Sequence, residues 1–234
     1  MTIKFTGSFG PITGAMSVGD VPDTFDVIGE SLIYLDVDNY VSGSTWVDQS
    51  SNGYNASLSN VSLVSGHMDY STTSSRSTIT YNSAFSSASK SIVMWVRNDT
   101  PTVNKGYFSA GDSTDSYIGH DAVFESNETG AGVQFYLGGN TAFETSQLTA
   151  GVFYCLAYTY DTTEGVGRFY INNVEVGSRS ETLTNFDANI TLGDIPWAAN
   201  HELNGAIDTF AYYDKQLVAA DLTAVYELNA SRYA

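Results

Sequence analysis

The chain has 234 residues, 42% hydrophobic, 13% aromatic and only 15% charged, and its 9 Lys+Arg against 26 Asp+Glu give a formal charge of -17. A chain of this length buries about 70% of its unfolded surface, and 16 Tyr, 12 Phe and 3 Trp offset the ordering entropy that leaves apolar-poor chains disordered. The acidity excludes a nucleic-acid partner, which depends on cationic contacts to phosphate. The lone Cys155 excludes an intramolecular disulfide and a cysteine zinc site, and no run approaches the ~20 apolar residues of a membrane span.

Residues 1–30 hold Gly10-Pro11 and Pro22-Asp23, with Gly7, Gly14 and Gly19 around them. Such punctuation breaks any long helix or strand. The segment reads as an extended arm that orders against a partner or the domain, or equally as a short first strand followed by a loop. It contains one lysine, Lys4, and no apolar stretch of the signal-peptide kind, so the expectation is synthesis in the cytoplasm without export.

From Ser31 onward, short apolar or alternating runs are separated by Gly, Asn, Asp and Ser clusters, the pattern of antiparallel strands joined by turns. The clearest are 31–35, 91–97, 107–109, 131–137, 152–160 and 167–171. In 152–160 the bulky Tyr154, Leu156, Tyr158 and Tyr160 alternate with Phe153, Cys155, Ala157 and Thr159. Both faces are apolar enough for a central sandwich strand, which makes Cys155 a buried small hydrophobe rather than a nucleophile. Gly138-Gly139-Asn140 marks one turn, and Asn172-Asn173 predicts a type I′ hairpin, because Asn tolerates positive φ. The one convincing helix is 218–228, with Leu222, Val225, Tyr226 and Leu228 at helical spacing and Asp221 in the first turn. Without an internal repeat or linker, 31–234 reads as one domain.

Four segments carry a family likeness. Leu35-Asp36 with Thr45 through Ala56 matches an opening strand and its Asn/Gly loop, although Ser51 and Ala56 replace two usual glycines; Lys90 through Val96 matches a strand whose tryptophan, here Trp95, points inward to anchor the core. Leu148 through Asp161 and Gly167 through Gly177 match the most distinctive strand and hairpin, with Phe153 where Trp is usual and Asn173 where Gly is usual. Leu192-Gly193, then Leu203 through Asp208, Tyr212-Tyr213 and Tyr226, match the closing strand and helix. In this order they resemble the laminin G-like branch of the concanavalin A-like jelly-roll superfamily, over about 31–234. The resemblance implies an all-β, two-sheet antiparallel jelly-roll sandwich, preceded by the extended arm and followed by one short C-terminal helix.

That superfamily includes glycoside hydrolases, which need two carboxylates flanking the scissile bond. In the β-glucanase relatives both acids stand on one strand as E-x-D-x-x-E; neither Asp36-Val37-Asp38 nor Glu202 through Asp208 matches. His67, His120 and His201 are isolated and lack HExxH spacing, and no Gly-rich phosphate loop is present. The expectation is a non-catalytic protein.

Domains of this type commonly bind carbohydrate, often with Ca²⁺, and that much the resemblance implies. Independently, a sugar site needs an aromatic plane with carboxylates and amides for hydroxyls. Gly193 through Glu202 supplies them in Trp197, Asp194, Asn200 and His201; the alternative is that Trp197 folds over the sandwich edge as a core plug. For calcium the candidate ligands are Asp36 and Asp38, beside Asn39, and Asp208, the acid on the family's last strand, with Asp112 and Asp115 a second cluster. Val41 stands where an EF-hand loop needs glycine.

An arm joined to a jelly roll resembles bacteriophage structural proteins. The expectation is a virion surface protein, on capsid, neck or fibre, that docks on other virion proteins through residues 1–30 and displays a face for a host-surface glycan. Display in many copies implies a homo-oligomer such as a trimer, kept soluble by its acidity. The alternatives are a purely architectural decoration protein without ligand, and a secreted lectin or glycoside hydrolase.

Overall fold

The computed structural model describes residues 26–86, 89–101, 104–111, 122–126, 132–137, 140–144, 148–180, 186 and 188–233. Among these, strands β1 (Ile33–Asp36), β2 (Thr45–Trp46), β3 (Ala56–Ser59), β4 (Ser62–Val64), β5 (His67–Asp69), β6 (Arg76–Ile79), β7 (Lys90–Asn98) and β8 (Lys105–Ala110) are followed by β9 (Ala122–Ser126), β10 (Val133–Leu137), β11 (Asn140–Glu144) and β12 (Phe153–Asp161), then by β13 (Val166–Ile171), β14 (Val174–Ser180), β15 (Ile190–Leu192), β16 (Gly205–Tyr213) and the helix α1 (Ala219–Ala230). The strands form two sheets, ordered β14-β13-β12-β7-β16-β5-β4 with β1 also on β16, and β11-β10-β9-β8-β15-β6-β3-β2. The pairings are antiparallel, from β1 on β16 through β8 on β9. This is the two-sheet sandwich with a short C-terminal helix that the sequence predicts.

Strand periodicity decides what each face buries. In β7, Ile92, Met94 and Val96 face the interior between the sheets, where Leu156, Tyr158 and Tyr160 of β12 and Ile207, Phe210 and Tyr212 of β16 join them. The alternate residues are buried as well, in a second cluster of Val93, Trp95, Cys155, Ala157, Ala211, Tyr213 and the helical Leu222 and Val225. Trp95 therefore points outward beneath the C-terminal segment, stacked on Tyr226 at 5.4 Å and Tyr233 at 4.4 Å, and not inward as the family likeness implies. The inward tryptophan is Trp46, fully buried, its indole N–H donating to the Asp36 carbonyl at 3.0 Å. Small side chains at Cys155, Ala157 and Ala211 leave room on this face for the Trp95 ring and for α1.

Cys155 is buried, and burial pushes its thiol up. Asn172 and Asn173 both have positive φ, 49° and 64°, as the predicted hairpin requires, and the Asn173 amide donates to Thr223 on α1 at 2.9 Å. Val27 and Ile28, at the end of the predicted arm, pack on the outer cluster, and Tyr213 Oη donates to the Val27 carbonyl at 2.8 Å. Residues 1–25 lie outside the described residues, as do Asp112, Asp115, His120 and Gly138-Gly139.

One core group is out of keeping with its surroundings. Lys90 is fully buried on the inner face, its Nζ 4.1 Å from the Phe186 ring centroid and without a hydrogen-bond partner among the described residues. Burial pushes the amine down to about 8. Between that value and the ordinary lysine value the unfolded chain holds the extra proton, so this group's contribution makes stability rise with pH across that window and leaves it lowest below it. The full difference corresponds to roughly 3 kcal/mol. We expect Lys90→Met to raise the melting temperature by about 5–10 °C at pH 7, and the gap to the native chain to narrow steadily from about pH 8 upward, most of it gone by about pH 10. Calorimetric scans of both proteins across that range check it.

Candidate functional site

The loop following β15 is held at both ends and along its back. Gly193 has φ +78°, and a Cβ there would lie 2.2 Å from the Tyr70 ring, so only glycine can start the loop in this place. Its N–H donates to the Tyr107 carbonyl at 3.0 Å, and the Leu203 N–H donates back to the Gly193 carbonyl at 2.8 Å, closing the loop. Ser109 Oγ donates to the Asp194 carbonyl at 3.0 Å and Lys105 Nζ to the Asn200 carbonyl at 3.0 Å. The Gly106 N–H donates to the His201 carbonyl at 2.7 Å. A Cβ on Gly106 would meet Ile195 Cγ1 at 2.6 Å, so the loop crosses directly over β8 there.

This anchoring divides the predicted sugar-binding residues. Trp197, half-buried, lines a surface pocket of about 600 Å³ with Pro196, Arg76 and Thr78 of β6, Thr191 of β15, and Asn189. Thr78 and Thr191 are cross-strand partners. Ser77 and Ile79 of β6, like Ile190 and Leu192, are buried, so the pocket floor is the outer face of the second sheet. Asp194 backs the pocket, 5% exposed, with one carboxylate oxygen 3.5 Å from Arg76 Nη1. Burial pushes its carboxyl up and nearby Glu202 adds to the rise, against the pull of the Ile195 N–H and Arg76. Asn200 and His201 do not line this pocket: their backbones are pinned to β8, and His201 Nδ1–H donates to the Ala199 carbonyl at 2.9 Å. Sequence reasoning missed Arg76, Thr78, Asn189 and Thr191. Alternation in Arg76-Ser77-Thr78-Ile79 puts Arg76 and Thr78 on one face, but the pairing that brings them under Trp197 joins strands more than 100 residues apart.

The predicted calcium ligands sit elsewhere, on the outer face of the first sheet. Arg232 forks onto Asp36 at 2.8 and 2.9 Å and also meets Asp38 at 2.7 Å. The pairing of β16 with β7 shifts register between Ile207 and Thr209, and Asp208, 1% exposed, lies at that bulge. His67 Nδ1–H at 2.6 Å and Tyr233 Oη–H at 3.1 Å donate to its Oδ2, and the Met68 N–H donates to Oδ1 at 3.1 Å. Burial raises the Asp208 carboxyl, and these donors oppose the rise. All three acids thus face a guanidinium or N–H and O–H donors instead of converging on one point. Among the described residues no group of three His, Cys, Asp or Glu could hold a metal ion. The arrangement does not fit calcium, which takes six to eight oxygen ligands.

A family model described as the concanavalin A-like lectin/glucanases superfamily matches residues 65–223, and the chain belongs to that superfamily. Its fold is similar to that of the Trypanosoma rangeli sialidase in complex with sialic acid, with TM-score 0.69 and 14% identity over 88% of this chain and 34% of the sialidase. It is likewise similar to the botulinum neurotoxin serotype D binding domain, TM-score 0.63 and 16% identity over 86% of this chain and 53% of that one. The ligand binding domain of the same serotype in complex with N-acetylneuraminic acid gives 0.63 and 17%, over 85% and 50%. This chain therefore spans about a third of the sialidase and half of the toxin domains. No curated protein sequence matches it.

The Arg232 fork gives a stability test. Removing the guanidinium takes the cationic partner from the buried Asp36 and leaves it only the Asp38 N–H and the Tyr34 hydroxyl, so Arg232→Met is expected to cost about 2–4 kcal/mol in urea unfolding. The double variant Arg232→Met/Asp36→Asn should recover part of that loss.

Proposed function

We propose that this protein is a non-catalytic carbohydrate-binding module whose ligand sits in the Trp197 pocket. The observation that supports this most is the pairing of a half-exposed indole with uncharged hydroxyl and amide donors and one arginine on the outer face of a sheet. The indole offers an apolar plane to a sugar ring face, and Arg76, Thr78 and Asn189 offer hydrogen bonds to its hydroxyls. Two structural neighbours, the Trypanosoma rangeli sialidase in complex with sialic acid and the serotype D toxin domain in complex with N-acetylneuraminic acid, agree with this reading. Asn200 and His201, pinned on the far side of the loop, are given no part in it.

A glycoside hydrolase is the second reading, and one observation favours it: beside the pocket stands Asp194, an acid with a raised pKa and a second carboxylate, Glu202, near it. Against it, Asp194 is 5% exposed and already faces Arg76, so it does not present itself to a scissile bond as an acid must.

The wider setting we propose is display on a bacteriophage particle, with residues 1–30 docking on other virion proteins and several copies presenting the pocket to a host glycan. A charge of -17 supports it by keeping neighbouring copies apart. Adjacency of the gene to capsid, portal or tail genes is the expected finding; a neighbourhood of secreted polysaccharide-degrading enzymes would overturn this setting and leave the pocket assignment intact.

The binding reading is checked on a glycan array followed by titration calorimetry. Trp197→Ala should weaken the best ligand at least about tenfold, or 1.4 kcal/mol, with an unchanged melting temperature. Release of reducing sugar from the bound glycan by the native chain, abolished by Asp194→Asn, would transfer the assignment to the hydrolase. Because Asp36, Asp38 and Asp208 already have protein partners, chelator is expected to leave both binding and melting temperature unchanged.

A further inference from the structure

The arginines of this chain are not equally occupied. Arg97 forks onto Asp99 at 3.0 and 3.2 Å, Arg168 meets Glu164 at 2.6 Å, and Arg232 meets Asp36 and Asp38 at 2.8, 2.9 and 2.7 Å. Arg179 is engaged as well. Arg97, Arg168 and Arg232 each spend a charge on an acid at hydrogen-bond distance, as expected where acids outnumber bases 26 to 9. Arg76 differs: its acid, Asp194, lies 3.5 Å from Nη1, and the Arg76 side chain, 41% exposed, lines the pocket. A guanidinium has five N–H donors in a planar fork that matches a carboxylate in two-point contact, so most of this fork is open to a ligand.

The lining of the pocket has no acidic side chain among the described residues, although the chain has 26 acids. Thr78, half-buried, brings a hydroxyl to the floor, where it can donate to an anion or to a ring hydroxyl, while its cross-strand partner Thr191 is buried beside it. The -17 charge of the whole chain does not cancel this, because charges beyond about 8 Å are screened at physiological ionic strength and the guanidinium would be in direct contact.

We propose that the pocket selects a saccharide bearing a carboxylate, with the carboxylate on the Arg76 fork and the sugar ring against Trp197. This rests on the carbohydrate reading of the same pocket and adds the chemical class of the ligand. An acid-bearing sugar gains a two-point, charge-assisted contact that a neutral sugar of the same size lacks.

The test compares 3′-sialyllactose and trigalacturonate with lactose and cellotriose by titration calorimetry on the full chain. The native protein should bind at least one acidic probe about tenfold more tightly than either neutral one. Arg76→Met should erase that preference, and Arg76→Lys should keep part of it, since an ammonium gives a point charge without the fork. Because Arg76→Met strands the buried Asp194, the double variant Arg76→Met/Asp194→Asn is measured beside it, and it too should bind acidic and neutral probes alike. Equal binding of acidic and neutral probes by the native chain, or a preference that survives both methionine variants, overturns the carboxylate assignment while leaving the carbohydrate reading in place. Binding of none of these probes, with a blank glycan array, overturns both.

Discussion

The central strands β7, β12 and β16 of the first sheet are buried on both faces, and much of the rest follows from that. The sheet's inner face meets the second sheet through Ile92, Met94, Leu156, Tyr158, Phe210 and Tyr212. Its outer face is covered by α1 and the segments at either end of the described chain, over the small residues Cys155, Ala157 and Ala211. Trp95 fills the space those small residues leave, and the rings of Tyr226 and Tyr233 close over it. A sheet face so covered cannot also be a binding surface at its centre. The open pocket is found instead on the outer face of the second sheet.

That pocket depends on a loop with little freedom. Gly193 lies against the Tyr70 ring, Gly106 passes beneath Ile195, and three hydrogen bonds from β8 reach the carbonyls of Asp194, Asn200 and His201. Trp197 is thereby presented from a fixed frame over β6 and β15, and for the ligand proposed there little ordering of the protein would oppose binding, as in other preorganised sites. Both ends of the loop are anchored to β8, at Asp194-Ile195 and at Asn200-His201, and Trp197 stands between those anchors at the pocket.

Charge is distributed with equal economy of contact. The described arginines other than Arg76 sit on acids at close range or are otherwise engaged, and Lys215 is paired with Glu30. Lys90 is the exception in the core, a buried amine whose nearest favourable partner is the face of Phe186. Arg76 is the exception at the surface. The acids predicted to hold calcium belong to the first pattern. Asp36 and Asp38 fasten the C-terminal Arg232, and Asp208 fastens His67 and Tyr233, so their chemistry closes the outer layer of the fold.

Much of the architecture is written locally. Alternation fixes the strands at 91–97 and 152–160, the asparagine pair fixes a hairpin by tolerating positive φ, and helical spacing fixes α1 to within two residues at either end. These are properties of neighbours along the chain, which is why the sequence determines them. It also determines the membership of Trp197 and Asp194 in one loop. Which face Trp95 occupies, and which residues join Trp197, were decided by tertiary structure alone. The first is a competition between two apolar faces of one strand that periodicity cannot resolve. The second is a cross-strand register between β6 and β15, and a contact between residues far apart in the chain leaves no periodic mark in the order of the amino acids.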